Sequence, residues 1–229
     1  MIKKVNIPFG EKSVIHGDLH MNKNSRKLVI LCHGFKDSKD SPSIKRLAGI
    51  LGKKFNVYRF TFTDRENPFL PEEADNISLV LEKFRPLYKE IIIVGASLGG
   101  LSVFLNIPKN PMVDRLILIN PFIFLFKRVN WKFTKMIIGL LLLYPFSIKV
   151  RENINYYFKK LRPELVKIPT LVLTAKNDKI VSPVHGQVIY NQIKSTNKKI
   201  IMDDIVDHGL TKDYYRQRIS KYVINWISK

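Results

Sequence analysis

A series of short runs that are apolar on both faces, separated by segments of helical period, constrains this chain more than any other feature. The runs are Lys27 to Cys32, Asn56 to Thr63, Glu90 to Val94, Arg115 to Ile119, Thr170 to Thr174 and Lys199 to Met202. A strand with one wet face alternates apolar and polar residues, whereas one that is apolar throughout needs cover on both sides, the condition of a strand in a parallel sheet. Helical candidates fill the gaps, at Ser43 to Phe55, Glu72 to Leu87, Gly99 to Ile107, Val184 to Ile193 and Tyr214 to Ser228. Ile44, Leu47, Ala48 and Leu51 recur at helical spacing behind Ser41-Pro42, and Ile219, Val223, Trp226 and Ile227 share one face of the last segment. Alternating strands and helices predict an α/β fold with a mostly parallel central sheet and helices on both faces. Val5 to Met21 reads as a β-hairpin turning near Phe9-Gly10-Glu11-Lys12, an antiparallel edge to that sheet.

One stretch breaks the alternation. Between Asn120-Pro121 and Lys167-Ile168-Pro169 the chain is rich in Phe, Trp, Leu and Lys and reads as helices without a strand, so residues 121–165 are expected to form a helical cap on a single domain spanning 1–229. Its aromatics suit an apolar substrate pocket and equally suit packing of the cap onto the body. The longest apolar run, Met136 to Phe146, lies in this stretch and is too short for the roughly 20 residues of a membrane-spanning helix. The amino-terminal residues Met1 to Pro8 carry lysines with no apolar segment behind them, which is not the pattern of a secretion signal. The single cysteine, Cys32, excludes an internal disulfide and sits in a strand, where a buried thiol is expected, so cytoplasmic residence is the expectation.

The formal net charge is +20. A field of this size favours anionic surfaces on electrostatic grounds, and an anionic membrane surface is one partner it would suit. Its basic residues are dispersed, and no helix-turn-helix, zinc-finger or ribonucleoprotein motif accompanies them, so no specific nucleic-acid partner is read. A lysine-rich solvated exterior accounts for the same charge without any partner.

Chemistry is most legible at Gly95-Ala96-Ser97-Leu98-Gly99-Gly100, directly after the apolar run Ile91 to Val94. The segment fits G-x-S-x-G, the nucleophile elbow, in which a strand turns abruptly into a helix and lifts a serine hydroxyl clear of both. A glycine-rich strand-to-helix junction is also an ordinary packing device, so the rest of the machinery has to be found elsewhere. A serine nucleophile needs a base, a group that orients the base, and two donors for the developing oxyanion. His208, in Asp207-His208-Gly209 after the last strand-like run, is the candidate base; His16, His20 and His185 lack that placement. Asp178, in Lys176-Asn177-Asp178-Lys179 just after the Thr170 to Thr174 run, is the candidate acid, with Asp203, Asp204 and Asp207 as rivals close to His208 in sequence. In a parallel sheet these loops emerge at the same carboxyl edge as the elbow. For the oxyanion, the amide of Leu98 follows the nucleophile, and that of Phe35 lies in the turn His33-Gly34-Phe35, where His33 reads as a brace of the loop.

Taken together, Cys32-His33-Gly34-Phe35, the elbow at Ser97, Asn177-Asp178-Lys179-Ile180-Val181-Ser182-Pro183 and Asp207-His208-Gly209 resemble the α/β-hydrolase superfamily. They are most similar to its branch of small carboxylesterases, feruloyl or cinnamoyl esterases and monoacylglycerol lipases. The resemblance implies an α/β-hydrolase fold with a small helical cap after the sixth strand, and hydrolysis of carboxylic esters through an acyl-enzyme on Ser97. It implies no metal or organic cofactor, and a small-molecule ester substrate with an apolar or aromatic acyl part. Thioesterase or lipid-directed lipase activity remains open beside it, as does a non-catalytic binding module on the same fold. Many relatives have a glycine-rich turn after the third strand; here Thr63-Asp64-Arg65-Glu66-Asn67-Pro68 stands instead, so pocket details near that loop do not transfer.

Overall fold

The computed structural model of the chain describes residues 1–64, 70–107, 110–123 and 148–229. In chain order its strands are β1 (Ile2–Lys4), β2 (Ile7–Phe9), β3 (Ser13–Ile15), β4 (Gly17–His20), β5 (Lys27–Cys32), β6 (Asn56–Phe60), β7 (Glu90–Ala96), β8 (Arg115–Ile119), β9 (Thr170–Ala175) and β10 (Lys198–Asp203). The main sheet has eight strands in the order β1-β4-β6-β5-β7-β8-β9-β10. It is antiparallel where β1 meets β4 and β4 meets β6, and parallel from β6 through β10.

Successive residues of the parallel strands point to opposite faces, and each set finds a helical cover. Val29 and Leu31 of β5, Ile92 and Val94 of β7 and Leu171 and Leu173 of β9 pack with α1 (Pro42–Leu51) and α6 (Asp213–Ile227). Leu28 and Ile30, Ile91 and Ile93, and Leu116 and Leu118 face the other way. They pack with α2 (Leu70–Phe84), α3 (Leu98–Asn106), α4 (Ile148–Lys160) and α5 (Val184–Gln192). The doubly apolar strands therefore lie in the middle of three layers, as their composition predicts.

The boundaries depart from expectation for identifiable reasons. β6 stops at Phe60 instead of Thr63 because its next donors leave the ladder. The Thr61 amide donates to the His16 carbonyl at 3.0 Å, that of Phe62 to His33 Nε2 at 3.0 Å and that of Thr63 to Asn76 Oδ1 at 3.0 Å. α1 ends at Leu51 instead of Phe55, since the amides of Lys54 and Phe55 both turn back onto the Leu51 carbonyl. The amino-terminal hairpin turns where expected, with Ile7 paired to Ile15, yet β2 and β3 form a two-stranded sheet of their own. The antiparallel edge of the main sheet is made instead by the flanking strands β1 and β4.

The insertion begins directly after β8, which is the sixth strand of the main sheet in chain order. Its described part comprises Pro121 to Ile123, α4 and a 3₁₀ turn at Pro163–Leu165. α4 docks on the body: the Leu70 amide donates to Asn153 Oδ1 at 2.7 Å, and Tyr156 donates its hydroxyl to Asn106 Oδ1 at 2.7 Å. Residues 124–147, including the run Met136 to Phe146, lie outside the described residues, as do 65–69 in the loop after β6. Among the described residues no helix is long and apolar enough to cross a membrane.

Candidate active site

Ser97 sits between β7 and α3 with φ 51° and ψ −118°, a left-handed backbone that side chains rarely adopt. Such a conformation costs on the order of 1–3 kcal/mol and persists only where the surroundings over-determine it. Here they do. The Ser97 amide donates to the Ile119 carbonyl at 2.9 Å, and its own carbonyl accepts from Phe122 at 3.2 Å and Gly100 at 3.0 Å. Close approach explains the glycines around it: a Cβ on Gly99 would lie 2.1 Å from the His33 carbonyl oxygen, and one on Gly95 2.7 Å from Gly100 Cα. The start of α3 is thereby pressed against the turn that follows β5.

The base and acid candidates arrive from the ends of β10 and β9. His208 Nε2 is 3.0 Å from Ser97 Oγ, and its Nδ1 is 2.6 Å from Asp178 Oδ2. With the Nδ1 proton donated to the carboxylate, Nε2 presents its lone pair to the serine hydroxyl. Asp178 is fixed in turn through Oδ1, which accepts from the amides of Ile180 and Val181 at 2.8 Å each, and its side chain is 1% exposed.

The rival acids are engaged elsewhere. Asp203 accepts from the amides of Ile205 and Val206, from the Tyr222 hydroxyl and from Arg218, and Asp207 accepts from the amide and hydroxyl of Thr211. Asp204 is exposed. His20 and His185 are likewise engaged by other partners. His20 Nε2 accepts from Arg59 Nε at 3.2 Å, His185 Nδ1 accepts from the Ile123 amide at 3.1 Å, and His16 is exposed. Burial lowers the pKa of both His20 and His185, in keeping with neutral rings that accept.

Gly34 lies against the serine, since a Cβ there would meet Ser97 Cβ at 3.1 Å. Neither the Phe35 amide nor the Leu98 amide has an acceptor among the described residues, and both flank Ser97. His33 braces this turn, donating from Nδ1 to the Gly34 carbonyl at 2.8 Å and accepting at Nε2 from Phe62. A cavity of about 400 Å³ opens over Ser97 and His208 and is walled largely by Phe35, Ile44, Leu47, Ile119, Ile180 and Leu210. Its size and apolar lining are those of small-molecule sites. Among the described residues no cluster of three or more His, Cys, Asp or Glu side chains is placed to hold a metal ion.

One residue that ties the site together is not singled out by sequence. Asn120, buried at the end of β8, hydrogen-bonds both the β9 end and the His208 loop; the only sequence signal was the turn-forming Asn-Pro pair. Asp203, rejected as an acid, clasps the loop that leads to His208.

No protein-family model and no curated protein matches the sequence. Solved structures are similar along nearly all of the chain. Est1E from Butyrivibrio proteoclasticus is 17% identical with a TM-score of 0.69, each chain being covered over 99% of its length. The Pyrococcus furiosus esterase Pf2001 is 18% identical with a TM-score of 0.74, over 100% of this chain and 92% of that one. A monoacylglycerol lipase of Paleococcus ferrophilus is 16% identical with a TM-score of 0.69, over 93% of this chain and 99% of the other.

Proposed function

From an α/β-hydrolase fold that brings a strained serine, a histidine and an aspartate into one hydrogen-bonded line, we infer that the chain hydrolyses carboxylic esters through an acyl-enzyme on Ser97. The observation that carries this reading is the pair of contacts at His208, 3.0 Å to Ser97 Oγ and 2.6 Å to Asp178 Oδ2. His208 takes the serine proton as Oγ attacks the ester carbonyl, then returns it to the leaving alkoxide; a water activated by the same ring then releases the acid. Asp178 holds the tautomer and stabilises the imidazolium, and the amides of Phe35 and Leu98 receive the tetrahedral oxyanion. No metal or organic cofactor takes part in these steps.

The names of the similar structures support an ester substrate, one of them being Est1E with ferulic acid bound. The apolar cavity supports an apolar or aromatic acyl part. A lipid-directed lipase or thioesterase is favoured by the exposed Phe35 and Ile180 at the cavity wall together with the surplus positive charge, which suits substrate presented at an anionic membrane surface. The expected cap over 121–165 of this single domain is supported, within its described part, by the docking of α4 on α2 and α3; residues 124–147 lie outside the described residues. Cytoplasmic residence is supported by the lone, buried Cys32.

Replacing Ser97 with Ala is expected to lower kcat for p-nitrophenyl acetate by on the order of 10⁶-fold with the fold intact. A fluorophosphonate should label the native protein stoichiometrically at Ser97. A folded native sample that resists labelling would favour a binding role, and undiminished turnover by Ser97→Ala would sink the assignment. Rates over acyl chains of increasing length and over an acyl-CoA separate simple esters from lipids and thioesters.

A further inference from the structure

The side chains of the site stand on three separate strand ends, and one buried residue joins them. Asn120 follows β8 and is 3% exposed. Its amide donates to the Leu173 carbonyl at 2.8 Å, and its side-chain Oδ1 accepts from the Ala175 amide at 2.7 Å, three residues before Asp178. Nδ2 donates to the carbonyl of His208 at 2.9 Å and to that of Asp207 at 3.3 Å. On either side of Asn120 along the chain, the Ile119 carbonyl and the Phe122 amide hold the amide and carbonyl of Ser97. One four-residue segment thus grips the serine through its backbone and the histidine loop through a side chain.

The residue type is narrowly determined. Asn120 has φ 45°, and asparagine is among the few residues with a Cβ that tolerate this region. Its three side-chain partners are one N–H and two carbonyls, so only a group with an acceptor and two donors satisfies them, and only in this orientation of the amide. An aspartate offers acceptors alone, and an apolar residue of the same size would leave the buried Ala175 amide and the part-buried His208 carbonyl unpaired.

We propose that Asn120 is a positioning residue that sets the reach of His208 Nε2 to Ser97 Oγ by fixing the main chain of the histidine loop to the strand end that holds the serine. This rests on the reading of Ser97 and His208 as nucleophile and base. It differs from a general clasp between strand ends because it makes the hydrogen-bond donors of residue 120 a determinant of kcat.

Two variants test it. Asn120→Gly keeps the left-handed backbone without strain and removes the amide; Asn120→Asp keeps the shape and the acceptor but loses both donors. Both are compared with the native protein for fluorophosphonate labelling, for kcat and KM with p-nitrophenyl acetate across pH, and for urea unfolding. The expected result is cooperative folding with kcat about 10²-fold lower and KM nearly unchanged, as for a displacement of about 1 Å at the reacting atoms. In Asn120→Asp the deficit relative to native should shrink as pH falls, because the protonated carboxyl regains an O–H for the His208 carbonyl, while the deficit of Asn120→Gly stays level. Folded variants with native kcat, or the same flat pH course in both, overturn the proposal. If Asn120→Gly does not fold, the pH course of Asn120→Asp decides alone. A native protein that neither labels nor turns over refutes the catalytic reading and this one with it, whereas native labelling matched by both variants refutes this one alone.

Discussion

Gly99→Ala tests how the start of α3 serves the site. An alanine Cβ at this position would lie 2.1 Å from the His33 carbonyl oxygen and 2.9 Å from that of Cys32, both backbone atoms with no rotamer to yield. Separations below 3.0 Å are essentially never seen for real Cβ atoms, so the helix start and the turn after β5 must part by at least 3.0 − 2.1 = 0.9 Å. Overpacking of this kind costs about 1–3 kcal/mol, partly offset by the roughly 0.5–1 kcal/mol that alanine gains over glycine in a helix. The two amides assigned to the oxyanion lie on opposite sides of that contact, Leu98 on the helix and Phe35 on the turn. A displacement of about 1 Å between them should cost about 10²-fold in rate. A domain stable by about 5–15 kcal/mol remains folded after such a loss, so the fall in kcat is not a fall in folded fraction. The measurements are kcat and KM with p-nitrophenyl acetate, and the urea midpoint with its slope as a check that the transition is unchanged in kind. Native kcat together with a native midpoint would refute the reasoning, since no rearrangement that spares both can remove the clash.

Gly49→Ala supplies the contrast: Gly49 is exposed within α1 and a Cβ there meets nothing within 4 Å, so the midpoint should rise by the equivalent of about 0.5–1 kcal/mol with activity unchanged. A fall in midpoint would show that the helix surface is not free there. Glu73 on α2 is pushed from 4.5 to about 8, chiefly by burial, opposed by its hydrogen bond with the Ser102 hydroxyl and reinforced by Asp64 and Glu72. The native state then keeps a proton that the unfolded chain releases, so stability falls as pH rises from 4.5 to about 8 and levels off above. One pKa unit corresponds to about 1.4 kcal/mol, which makes the decline several kcal/mol. Glu73→Gln should remove it, with the largest gain in urea midpoint at alkaline pH; parallel midpoint curves for the two proteins would contradict this.

The sheet is legible because short runs apolar on both faces alternate with longer segments of helical period, and it is the alternation that marks the runs as strands covered on two sides. Strand ends were not, since β6 closes where Thr61, Phe62 and Thr63 give their amides to His16, His33 and Asn76, partners that no local window contains. Likewise the hairpin at Gly10 is written in its local residues, whereas the edge made by the flanking strands β1 and β4 depends on the pairing of β4 with β6. Ser97, Asp178 and His208 could be picked out because each follows a strand of the parallel sheet, and topology brings such loops together. Asn120 occupies an equivalent place, yet its partners are carbonyls and an amide. Backbone groups carry no residue identity, so sequence cannot announce them.

The one thiol of the chain supplies an internal clock for such measurements. Cys32 is 1% exposed in the centre of the sheet, and burial, then the nearby Glu73, raises its pKa well above the ordinary value. A sulfur so placed, on the face covered by α2 and α3, meets a thiol reagent only when that packing opens, and as the chain's single cysteine it reports without background. Its rate of modification under native conditions therefore reports how far the layer of α2 and α3 opens beside the His33 turn, in the same tube and buffer in which turnover is recorded.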